Sequence, residues 1–84
     1  MFVGASPNPF RGSTELRFSL ASDGRATLSL YNAGGQLVRS LVDQELAAGA
    51  HSVELNAGEL PAGVYFANLR VGAESVTRTV VLSR

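Results

Sequence analysis

The 84-residue chain is 45% hydrophobic and 17% charged, carries 9 Gly and 3 Pro, and has no Cys. That suffices for one small domain with a thin core, and it excludes a large multi-layer enzyme, a second domain, a disulfide framework and a thiolate site. Seven Arg balance seven acids with no Lys, so the basic excess of a nucleic-acid binder is missing, and no run approaches the ~18–20 apolar residues of a membrane span.

Residues 1–6 have neither the charged leading region nor the apolar run of a signal peptide. They read as a start and linker remnant ahead of a single module at 7–84. Pro7 and Pro9 stiffen the leading segment and deny backbone donors to a neighbouring strand, making a defined join. Asn8 between them is expected to bond its own backbone and fix the bend.

From there Gly and Pro recur at roughly 9–14-residue intervals, the rhythm of short strands and turns. Leu16, Phe18 and Leu20 alternate with Glu15, Arg17 and Ser19, and Ala26, Leu28 and Leu30 with Arg25, Thr27 and Ser29. Ser22-Asp23-Gly24 between these runs reads as a hairpin turn, and Asn32-Ala33-Gly34-Gly35 as a second. Residues 36–48 are ambiguous, since Leu37, Val38, Leu41, Val42 and Leu46 also fit a helical stripe. The β-branched residues and the surrounding rhythm favour a strand over 36–42 and a loop over 43–50. Val53 and Leu55 continue the alternation, then Tyr65, Ala67 and Leu69, then Val76, Val80 and Leu82, with Gly72 turning between the last two strands.

A period of two means one buried and one wet face per strand. No crossover helix separates any pair, so the expected fold is all-β: an Ig-like antiparallel β-sandwich of about seven short strands. Tyr65, just after the Pro61-Ala62-Gly63 bend, fits a tyrosine corner whose hydroxyl bonds back to the preceding loop, or an ordinary core Tyr. Gly63 allows a positive φ that sets the direction of the next strand.

Catalytic chemistry is poorly represented. His51 is the sole imidazole, on a face shared with Val53 and Leu55, and no nucleophile elbow accompanies it. It reads as a structural or surface histidine, and the chain as not an enzyme. Asp43 and Glu45 in the expected loop offer two acids, a weak calcium pattern and more often a solvated one. Gly34-Gly35 lacks phosphate-cradling spacing, so no cofactor is expected. Of six aromatics, Tyr31 and Phe66 fall on outward or edge positions and leave room for a weak sugar-binding face.

Several segments in register are familiar: Ser6-Pro7-Asn8-Pro9-Phe10, Leu30-Tyr31-Asn32-Ala33-Gly34-Gly35-Gln36, Ala47-Ala48-Gly49-Ala50-His51, Leu60-Pro61-Ala62-Gly63-Val64-Tyr65-Phe66 and Arg78-Thr79-Val80-Val81-Leu82-Ser83-Arg84. Together they resemble the type A C-terminal sorting domain of the type IX secretion system, itself similar to the Ig-like domain of the flagellar hook-capping protein. The resemblance implies a non-catalytic module that directs N-terminal cargo domains of an exported protein to the outer-membrane machinery of Bacteroidota-type bacteria. The route implied is through the periplasm to the cell surface or beyond, with surface attachment in some members. It also implies recognition through Gly63 and Tyr65 and through the basic end of the chain, where Arg78 and Arg84 stand in place of Lys. Arg keeps the charge without the reactive amine. A last strand at a sheet edge would let a receptor add a strand, steered by those arginines. The competing reading is a carbohydrate-binding or structural Ig-like accessory module of a secreted hydrolase.

Overall fold

Strict alternation in three segments builds most of the core. Leu16, Phe18 and Leu20, then Ala26, Leu28 and Leu30, then Tyr65, Ala67 and Leu69 are all buried, and their sequence neighbours face out or sit at the rim. The computed structural model describes residues 2–84; Met1, read as a start residue, lies outside them. Seven strands follow in chain order: β1 (Phe2–Ser6), β2 (Ser13–Leu20), β3 (Gly24–Asn32), β4 (Leu37–Leu46), β5 (Gly49–Asn56), β6 (Gly63–Val71) and β7 (Glu74–Leu82). Residues 2–6, expected ahead of the module, are β1.

All strand pairings are antiparallel, in a three-stranded sheet β1-β2-β5 and a four-stranded sheet β4-β3-β6-β7. In the Ig constant arrangement the fourth strand lies beside the fifth. Here β4 stays on β3. The Asn32–Gln36 turn is the cause: Asn32 Oδ1 accepts the Gly34 and Gln36 N–H groups, each at 3.0 Å, and the Gly35 N–H donates to the Asn32 carbonyl at 3.0 Å. An Asn side chain that mimics backbone in this way closes a tight turn and holds the two strands together.

Three expectations are corrected. Ser22-Asp23-Gly24 is not a hairpin: β2 and β3 belong to different sheets, and the bend carries the chain across the core. Asp23 instead accepts the Ala48 N–H at 2.8 Å, tying this bend to the β4–β5 turn. The strand expected over 36–42 runs on to Leu46, so most of the loop expected over 43–50 is strand. The diagonal ion pair of Arg25 with Asp43, Nη2 to Oδ1 at 2.7 Å, lies in that extension, where Arg25 stands opposite Glu45 and Asp43 opposite Thr27. Register shifts leave Val38 and Leu41 as bulged residues opposite β3. Each bulge adds a residue and reverses parity, which spaces Val38, Leu41 and Val42 like a helical stripe. The helix-like pattern is thus two bulges in an edge strand.

Asn8 is the third correction. Its side chain bonds the β7 backbone rather than its own: Nδ2 donates to the Thr79 carbonyl at 3.0 Å, and Oδ1 accepts the Val81 N–H at 2.9 Å. The Phe10 N–H donates to the Val81 carbonyl at 2.9 Å, the Ser83 N–H to the Phe10 carbonyl at 2.8 Å, and the Phe10 ring is buried. Pro7 and Pro9, both following cis peptides, flank this contact. Thr14, buried, donates its hydroxyl to the Pro7 carbonyl at 2.6 Å. The leading segment therefore closes the far half of the β7 edge. Strand addition by a partner is left only the stretch before Thr79.

Candidate functional site

The β5–β6 loop, residues 57–62, is where the motif residues meet. Its backbone is short of regular partners, and side chains from distant elements supply them. The Arg84 guanidinium donates through Nη2 to the Gly58 carbonyl at 2.8 Å and the Leu60 carbonyl at 2.7 Å, with Nε reaching Leu60 at 3.0 Å. From β4, Arg39 donates to the Asn56 carbonyl at 2.7 Å and more weakly to that of Ala57 at 3.5 Å. Gly58 sits at φ +55°, a backbone conformation that favours glycine, with the Arg39 Nη2 3.2 Å from where a Cβ would stand.

Tyr65 holds the far end of the same loop. Its ring is buried and its hydroxyl donates to the Pro61 carbonyl, four residues back. This is the tyrosine-corner geometry, the first of the two readings the sequence left open. Gly63 opens β6 at φ +150°, a conformation that L side chains rarely adopt. Tyr65, Pro61, Gly63 and Arg84 thus share one loop. Gly34 joins them, because the β3–β4 turn faces the β5–β6 loop across a groove of about 300 Å³.

Arg78 lies apart. It pairs with Ala67 along β7, at the inward parity of Val76 and Val80, but is exposed and donates to the Thr77 carbonyl at 3.2 Å. A charge at an inward position of an edge strand discourages edge-to-edge pairing. Sequence reasoning gave no sign of Arg39, which lies between the two bulges. Asn32 before Ala-Gly-Gly was a readable turn signal.

The weaker readings fare differently. Asp43 and Glu45 are on β4 rather than in a loop, and Asp43 is engaged by Arg25, so the calcium arrangement is not formed. His51 stacks on Phe18 with ring centroids 5.6 Å apart, and Nε2 donates to the Ala47 carbonyl at 2.7 Å. That bond fixes the proton on Nε2 and occupies the imidazole structurally. Tyr31 and Phe66 are cross-strand partners, each half-buried, and neither ring stands free as a sugar platform. The loop end offers carbonyls, guanidinium groups and apolar side chains, which suit binding rather than bond-breaking.

A family model described as "Secretion system C-terminal sorting domain" matches residues 5–83. A search of the curated proteins gave no match.

Proposed function

Because the chain belongs to the family of secretion system C-terminal sorting domains, we propose that the outer-membrane machinery reads it at the loop end, through Gly63, Tyr65 and Arg84, with Arg78 adding charge along β7. The domain is a non-catalytic sorting signal for type IX secretion of an exported protein. The single supporting observation is the convergence of Arg84 and Tyr65 on the 57–62 loop. A folded domain is recognised by shape, and these two side chains fix the shape of its least regular part. The Arg84 contacts are hydrogen bonds from a planar donor to carbonyls, so this reading calls on no lysine amine.

In this reading the cargo consists of domains N-terminal to the module, carried through the periplasm and released at the cell surface or attached to it. The test is export of a reporter ending in this chain from a type IX-competent host. Arg84→Ala and Arg78→Ala should each lower the extracellular or surface fraction while the reporter stays folded. Full export of the double variant would refute the assignment of recognition to these residues.

A further inference from the structure

Among residues 4–84, two large hydrophobic side chains are exposed, Leu37 at 59% and Val64 at 41%. They lie at the same end of the four-stranded sheet. Leu37 pairs with Tyr31, Tyr31 with Phe66, and Val64 lines the groove between the β3–β4 turn and the β5–β6 loop. Val38, Leu60 and Pro61 also line it, so the groove is mainly apolar. At about 300 Å³ it stands at the bottom of the range for ligand sites, the scale of a side chain or two rather than of a whole strand.

Charge narrows the occupant. The ion pairs among the described residues are Arg17–Glu15 and Arg25–Asp43, both away from this end. Arg39 and Arg84 bond only carbonyl oxygens, and Glu59 in the same loop pairs with neither. Two guanidinium groups held on the 56–60 backbone, neither paired with a carboxylate, therefore stand beside an apolar groove whose lining includes Leu60 and Val38, the neighbour of Arg39. We propose that this groove takes an apolar side chain of the outer-membrane secretion machinery, carried on a segment with an adjacent carboxylate that meets Arg39 and Arg84. The proposal rests on the sorting role and names the surface and the chemistry of the partner. An apolar anchor in a pocket with a charged rim is the usual distribution of binding energy, and the rim charge governs the rate and salt dependence of association.

The test uses a folded reporter ending in this chain and the detergent-solubilised, purified outer-membrane translocon as probe, with binding followed by interferometry and export measured in parallel. Val64→Glu, in the groove lining, and Leu37→Glu, beside it, place like charge where the partner's carboxylate approaches, and the thermal midpoint of each fusion is recorded so that a loss of folding is told from a loss of binding. Each should weaken binding at least about tenfold, while Ser52→Glu, on the opposite sheet, stays within about twofold. Raising salt from about 0.05 M to about 0.5 M should weaken binding of the unmodified fusion markedly. Binding and export that survive both glutamates overturn the groove and leave the sorting role standing, as does equal loss with Ser52→Glu. Val64-dependent dimerisation of the chain alone also overturns it, in favour of a second copy as occupant. An unmodified fusion that neither binds nor leaves the cell refutes the sorting role, and the groove with it.

Discussion

Replacing Tyr65 by Phe removes one oxygen and keeps the ring, so it isolates the bond from Tyr65 to the Pro61 carbonyl. The ring is 5% exposed and packs within the core cluster, and that packing survives the change. What is lost is one hydrogen bond at a partly buried site, a net cost of about 0.5–1.5 kcal/mol. In a domain of this size about 1 kcal/mol lowers the melting temperature by roughly 4–8 °C. Tyr65→Ala empties the position instead and should cost about 3–5 kcal/mol, the range for truncating a buried ring. Urea titration with fixed slope measures the global term. Hydrogen exchange measures the local one, at the Leu60 amide, which bonds the Ala57 carbonyl within the loop. Tyr65→Phe should speed that amide beyond the global change. A Phe variant that melts with the parent and protects Leu60 equally would mean that the hydroxyl does not hold the loop. A Phe variant as unstable as the Ala variant would contradict the division between bond and ring.

Asn8→Ala removes both side-chain bonds to β7 and should cost about 1–2 kcal/mol by urea titration, at the low end because the site is exposed. Gly63→Ala meets no atom within 4 Å but must adopt φ near +150°, and should lose about 1–3 kcal/mol to backbone strain, read as a fall in thermal midpoint. Arg78→Ile should leave the midpoint nearly unchanged and quicken aggregation on mild heating, followed by light scattering, because it strips the inward charge from the β7 edge.

The buried faces of β2, β3 and β6 were readable from period two alone, because those strands carry no bulge along their buried runs and each side chain keeps its parity. β4 was not, because Val38 and Leu41 each reset that parity. Turn chemistry at Ser22-Asp23-Gly24 reports a bend but not which sheet the chain enters next, which depends on β2 finding β5 along its whole length. Of the candidate site, Tyr65 and Gly63 were legible because their partners lie within a few residues. Asn8 and Arg84 were legible only as a rigid bend and a free charge. Their partners lie 73 and 26 residues away in sequence, and no local pattern encodes a contact of that separation.

The sorting role itself is tested most directly by attaching this chain to the end of an inert periplasmic reporter, in a type IX-competent strain and in an isogenic strain lacking the translocon. The account predicts reporter at the cell surface or in the medium of the first strain and retained in the periplasm of the second. Retention in both, or equal release from both, would contradict it.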